Sequence, residues 1–114
     1  MKDARAAVEK SVREFHTLYN AQQFDRIYYS ASPGYRNAIS RSRSFKKFSD
    51  LYAMYGPVTS TTQRKATSEW VHTRWSVGGL YTTHFAKGGA WEYFVFWSDG
   101  RSEKLELLDY DRQE

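Results

Sequence analysis

From Asp3 to Asn20 the apolar residues Ala4, Ala7, Val8, Val12, Phe15, Leu18 and Tyr19 recur every three or four positions, with charged residues between them. That spacing lays one apolar stripe along a helix. Asp3 is placed to cap its start, and the polar run Asn20-Ala21-Gln22-Gln23 ends it. A shorter helix is expected over Phe24 to Ala31, stopped by Ser32-Pro33-Gly34. A third stripe sets Phe45, Phe48, Leu51, Tyr52 and Tyr55 on one side and closes at Gly56-Pro57, since glycine ends helices and proline disfavours helix in the residue before it.

After Pro57 the period changes from helical to two. Strands are expected over Val58 to Val71, Gly79 to Lys87, Ala90 to Ser98 and Glu103 to Tyr110, with hairpin turns at Gly88-Gly89 and Asp99-Gly100. Two-residue loops at those turns set Phe85 opposite Glu92, Thr83 opposite Phe94, Phe94 opposite Leu105 and Glu92 opposite Leu107. One face then carries Tyr81, Thr83, Phe85, Glu92, Phe94, Phe96, Leu105 and Leu107. The other carries Leu80, Thr82, His84, Trp91, Tyr93, Val95, Trp97, Lys104, Glu106 and Leu108. Helices first and a strand meander afterwards predict an α+β fold, with the N-terminal helices packed on the first face of a curved four-stranded antiparallel sheet. The 114 residues fit a single domain over 1–114, helical in 3–55 and sheet in 57–111.

Composition narrows the classes. Aromatics at 18% of residues exclude a disordered tail, and the absence of cysteine excludes disulfides, thiolate metal sites and a cysteine nucleophile. No apolar run approaches the roughly 18 residues a membrane-spanning helix needs. The first residues, Met1-Lys2-Asp3-Ala4, lack a signal-type apolar stretch, which leaves a cytoplasmic protein or a mature form with its leader removed. The net charge of +4 is concentrated: Arg36, Arg41, Arg43, Lys46 and Lys47 put five positive charges and no negative one into residues 36–47. Because Phe45 and Phe48 begin the third apolar stripe and serines precede them, this segment reads as a helix start. Its cations Arg41, Arg43, Lys46 and Lys47 then form an expected anion site at a helix N-terminus, for a phosphate, a lipid headgroup or a partner's carboxylate.

The order of helices and strands resembles the cone-shaped fold of the nuclear transport factor 2-like superfamily, also called cystatin-like. The stretches Ala7 to His16 with Tyr19-Asn20, Phe24 to Tyr28, Gly56 to Ser60 and Tyr81 to Val95 resemble small bacterial extracytoplasmic domains, often lipoprotein-anchored, of uncharacterised function. The resemblance implies a concave sheet whose open end forms a pocket beneath the helices. It also implies frequent homodimers through the outer sheet face and a periplasmic or surface-anchored mature form, with any anchoring residue outside this chain. It implies no single activity, because one fold hosts many chemistries. The ending Leu107-Leu108-Asp109-Tyr110-Asp111 departs from the Gly-Tyr pattern of such domains.

Glu92 falls on the aromatic face, where an unpaired carboxylate is costly. One reading makes it a pocket acid or ligand anchor, with Tyr81, Thr83, Phe94, Tyr28 and Tyr35 around it. The plainer reading, taken as the default, is a carboxylate hydrogen-bonded to a tyrosine or a helix end. Asp25 and His16 on the first helices form the kind of pair that dehydratases and isomerases use, but Asp25 suits helix capping and His16 lies beside the apolar stripe. His72 and His84 would face each other only around a loop near Gly78, and nothing supplies a third ligand, so no metal and no cofactor is expected. Phosphate-loop and nucleophile-elbow motifs are absent. Trp91, Tyr93, Val95 and Trp97 form an apolar row on the opposite face, for which a sheet-to-sheet homodimer is the economical cover. An aromatic platform for nucleic acid is disfavoured there by Glu103 and Glu106.

The expected function is a non-enzymatic small-ligand or protein-binding module working as a dimer. The alternatives are a dehydratase- or isomerase-like enzyme using Glu92 or Asp25 with His16, and anion or RNA binding through residues 36–47.

Overall fold

A computed structural model describes residues 4–98 and 102–112. Four helices come first: α1 (Ala4–Asn20), α2 (Phe24–Ser30), α3 (Pro33–Ala38) and α4 (Arg41–Tyr55). Four strands follow: β1 (Val58–Val71), β2 (Arg74–Phe85), β3 (Gly88–Ser98) and β4 (Glu103–Arg112). The strands form one antiparallel sheet in the order β1-β2-β3-β4, curled but not closed, with the helices over one face. The fold is α+β, as the change of period predicts. The expected cap at Asp3 and turn at Asp99-Gly100 lie outside the described residues.

The helices depart from expectation at two starts. Pro33-Gly34 does not merely stop α2 but opens α3: Ser32 caps it by accepting a hydrogen bond from the Tyr35 N–H at 3.1 Å, and proline tolerates the first turn because no N–H is needed there. The α4 helix begins at Arg41, with Ser40 accepting from the Arg43 N–H at 3.2 Å. The buried stripe of α4 is therefore Ser44 and Phe48, while Phe45 is 41% exposed and meets the Phe24 ring edge-on. Gly56 ends α4 at φ 77°, a conformation that side-chain-bearing residues rarely adopt.

Three strand features were not legible. The first hairpin turns at His72 and Thr73, with φ of 47° and 70°, where neither residue signals a turn. β2 therefore starts at Arg74, and His84 pairs with Ser60, far along the ladder from His72. The second turn is Ala86-Lys87, not Gly88-Gly89, because the Pro57 and Tyr55 carbonyls at the end of α4 take their N–H groups, each at 2.9 Å. Tyr81, not Phe85, then lies opposite Glu92, and Ala90, not Phe94, opposite Thr83. This slip of four residues is even, so both faces survive it.

In the third pair the slip is two residues as far as Leu105 and three beyond it, which is odd. Phe96 pairs with Leu105 and the next pair is Val95 with Leu107, leaving Glu106 as an extra residue in β4. This β-bulge inverts the alternation. Leu107 turns outward, 43% exposed, and Leu108 and Tyr110 turn inward. The cause is a tie to α3: the Ser32 hydroxyl donates to the Glu106 carboxylate, and the Ser32 N–H donates to the Leu105 carbonyl at 2.8 Å.

The core lies between α1 and the inner sheet face. Phe15 meets Phe94 at 5.4 Å and Phe48 at 5.5 Å between ring centroids, both edge-on, the favoured aromatic geometry. Helix α1 approaches β2 so closely that a Cβ on Gly79 would stand 2.5 Å from Val8 Cγ1. The space beneath the helices is thus filled by Val8, Val12, Phe15, Tyr19, Phe94 and Phe96.

Candidate functional site

Into that apolar layer the fold inserts one charged side chain. Glu92 is fully buried on β3, because the alternation that buries Phe94 and Phe96 also turns Glu92 inward. His16, one α1 turn from Val12, reaches it from above: His16 Nε2 lies 2.7 Å from Glu92 Oε1. From the sheet, the Thr83 hydroxyl donates to the same oxygen at 2.5 Å, and Thr61 on β1 lies 2.7 Å from the Thr83 hydroxyl. A polar chain therefore runs from an exposed edge strand to a carboxylate in the core. Hydrogen bonds to an ionised partner are the strong kind, and they offset part of the desolvation this burial costs.

Three tyrosines feel that carboxylate. Tyr110 sits directly across the ladder, and burial first, then the Glu92 charge, pushes its hydroxyl well above the ordinary tyrosine value. Burial likewise raises Tyr19 and Tyr81, with Glu92 a smaller cause in each and the Gln63 amide partly opposing the rise at Tyr81. Tyr19 donates to the Gly56 carbonyl at 2.8 Å, and Tyr81 accepts from Gln63 at 2.8 Å. Among the described residues, Glu92 Oε2 and the Tyr110 hydroxyl are the buried side-chain polar atoms that make no hydrogen bond. The Glu92 charge acts on the Tyr110 hydroxyl across the ladder.

His16 is also the floor of a cleft of about 380 Å³ between α1 and the first two strands, walled by Glu9, Arg13, Thr17, Asn20, Thr61 and Tyr81. The α1 residues line it because positions 9, 13, 16, 17 and 20 share one side of a helix. Asn20 is held there by hydrogen bonds to both the carbonyl and the N–H of Val58, at 3.1 and 2.8 Å. An imidazole whose one nitrogen is held by a carboxylate presents its other nitrogen in a defined direction. Such a group can bind a polar molecule or accept a proton from one.

Of the residues singled out from sequence, Glu92, Thr83 and His16 meet directly. Tyr81 walls the cleft and packs edge-on against Phe94 at 5.8 Å. Tyr28 and Tyr35 are engaged elsewhere: Tyr28 donates within the helix layer to the Arg36 and Ile39 carbonyls, both at 3.0 Å, and Tyr35 pairs with Ser44 at 3.1 Å. Asp25 neither caps α2 nor approaches His16; it pairs with Arg41 at 2.9 Å on the surface. The expected anion site is largely committed by that same pair. Lys46 binds Asp50 at 2.5 Å and Lys47 donates to the Leu108 carbonyl at 3.1 Å, leaving Arg43 exposed. Burial lowers the Lys47 ammonium, and Asp109 partly opposes this.

Thr61 and Tyr110 escaped the sequence reading. Alternation on β1 places Thr61 beside Thr83 once the register is known, but the bulge at Glu106 hides the inward turn of Tyr110. Among the described residues no group of three or more histidine or acidic side chains converges to hold a metal. No described helix is long and apolar enough to cross a membrane.

The outer sheet face differs in kind. Trp91, Val95, Trp97 and Leu80 are half-buried, and Tyr93 and Leu107 are 41% and 43% exposed. Arg74 lies over the Trp97 ring at 4.4 Å. Comparison of the chain with protein-family models and with curated proteins finds no match.

Proposed function

We propose that the protein is a non-enzymatic binding module of the nuclear transport factor 2-like kind. It takes a small polar molecule in the cleft above His16 and works as a dimer through its outer sheet face. The observation that carries this reading is the buried chain Thr61–Thr83–Glu92–His16, which ends at the floor of that cleft. In this site the buried carboxylate orients another group through a 2.7 Å contact. Here that group is an imidazole facing a cleft whose other walls supply a guanidinium, a carboxylate, an amide and hydroxyls. The cone reading is supported by helices placed over a curled four-stranded antiparallel sheet.

The test follows the His16 imidazole by nitrogen NMR while amino acids, hydroxy acids and polyols are added to the full chain. A saturable shift, lost when Thr61→Trp fills the cleft, is the expected result. No saturable shift from any of the three classes at millimolar concentration would reject the cleft as a binding site. The 2.7 Å contact also favours a second reading, proton transfer by His16 with Glu92 orienting it. Chemical conversion of a bound molecule, abolished by His16→Gln while binding persists, would select that reading.

A further inference from the structure

The sheet register arranges the outer face in cross-strand rows with a regular pattern of charge. Lys65, Leu80, Tyr93 and Asp109 form one row from β1 to β4. Thr67, Gly78, Val95 and Leu107 form the next, and Glu69, Ser76, Trp97 and Lys104 the one beyond. On the other side of the first row, Thr82, Trp91 and Asp111 align, with Arg64 donating to the Thr82 hydroxyl at 3.0 Å from the β1 end. Two of the charged rows thus begin with one sign and end with the other around a neutral middle row, and beside Thr62, which begins the Thr82 row, the Arg64 guanidinium brings the charge opposite in sign to Asp111. Lys65, Glu69, Lys104 and Asp109 are all exposed, and among the described residues none is in an ion pair.

Relief follows the same axis. The outward residues of β3 are large, Trp91, Tyr93, Val95 and Trp97, and make a ridge. Beside Val95 and Trp97 the outward residues of β2 are small, Gly78 and Ser76, with Leu80 and Arg74 flanking them, and a hollow of about 250 Å³ lies there between Lys65, Thr67, Gly78, Leu80 and Tyr93.

We propose that a second copy of this chain covers the outer face about a two-fold axis that runs parallel to the strands, between β2 and β3. The inference rests on the proposed self-association and specifies its geometry. A two-fold interface joins one surface to itself, so that surface must be its own complement. Rotation about this axis lays β1 over β4 of the second copy and β2 over its β3. Lys65 then meets the second copy's Asp109, Glu69 meets its Lys104, and Arg64 meets its Asp111. The β3 ridge enters the β2 trough, with Val95 over Gly78 and Trp97 over Ser76. The other in-plane two-fold, perpendicular to the strands, also matches opposite charges, but it drives ridge against ridge. Relief therefore selects the first axis. Aligned sheets pack with strand directions within about 30° of each other, and long Lys, Arg and Glu side chains span the resulting offset at the corners.

The test is sedimentation of the full chain across a concentration series, with circular dichroism to confirm that each variant folds. Lys65→Glu and Asp109→Lys should each weaken dimerisation about tenfold or more, because each turns two attractive contacts per dimer into repulsive ones. The double variant Lys65→Glu/Asp109→Lys should restore it. About the perpendicular axis the double variant would instead set the introduced carboxylate at position 65 against Glu69 and stay weak, which overturns the proposed axis. A dimer indifferent to both single variants overturns the arrangement while leaving self-association standing. A monomer at every concentration overturns both.

Discussion

Both faces of the sheet carry aromatic residues along β3, yet neighbouring residues there have opposite fates. Phe94 is fully buried beneath Phe15 of α1, while Tyr93, the next residue, is 41% exposed. Glu92 is fully buried and tied by His16 and Thr83, whereas Asp109, in the row of Tyr93, is exposed. The difference lies in what covers each face. Helices on the inner face supply both apolar contact and the imidazole that makes a buried carboxylate tolerable. On the outer face the rows are patterned, but the chain itself leaves them open. Burial is a property of the assembled layers, and alternation says only that two faces exist.

The comparison breaks most sharply by cutting one residue from each face, measured by denaturant unfolding at concentrations where the chain is monomeric. Phe94→Ala should cost about 3–5 kcal/mol, and Tyr93→Ala less than about 1 kcal/mol. Equal costs would mean that the outer face contributes to the core after all. The bulge gives a second pair with the roles reversed from simple alternation. Leu108→Ala should cost about 2–4 kcal/mol, and Leu107→Ser about 0.5 kcal/mol or less. The opposite ranking would place Glu106 back in a regular ladder.

A smaller effect sharpens the account of the carboxylate. Glu92→Gln preserves shape but removes the charge that His16 and Thr83 bind, and should cost about 1–3 kcal/mol. A neutral or stabilising result would show that the charge is not needed for folding. The inner face should also announce itself at high pH. Tyr19, Tyr35, Tyr81 and Tyr110 are all raised above the ordinary tyrosine value, burial being the first cause in each. Above about pH 10 the unfolded chain releases these protons while the folded chain retains them. The folded state then binds more protons, so stability is intact below that value and falls as pH rises past it. Lys47, lowered by burial, opposes the trend, since its folded form loses a proton before the unfolded one does. Four groups against one leave a net decline, which unfolding curves between pH 9 and 11 would register; a flat profile would contradict the burial of these hydroxyls.

Much of this was visible in the chain, for identifiable reasons. The stripe Val8, Val12, Phe15 and Tyr19 names the buried side of α1 because helical period and burial coincide there. Glu92 stood out because period two forced an acid into an aromatic row. His16 was named as a possible partner for either Glu92 or Asp25, but the sequence could not choose between them, since His16 lies 76 positions from Glu92 and sits on its stripe as a plain core residue would. The basic segment was read correctly as a helix start, but its charges could not be paired without knowing that Asp25 and the Leu108 carbonyl come within reach.

Local chemistry in the chain determined α1, α2, α4, the bulk of the strands and the two sheet faces over β3 and the second half of β2, because period and most of the breaker residues act within a few positions. Only the tertiary structure decided the registers. The Ala86-Lys87 turn follows from carbonyls at the end of α4, and the bulge at Glu106 follows from Ser32 at the start of α3. Those distant hydrogen bonds outweigh local turn preference, since a hydrogen-bonding group left without a partner costs more than a less favoured turn. They also set which residues share a row. That is why the buried chain beneath the cleft and the alternating charges of the open face appear only once the strands are aligned.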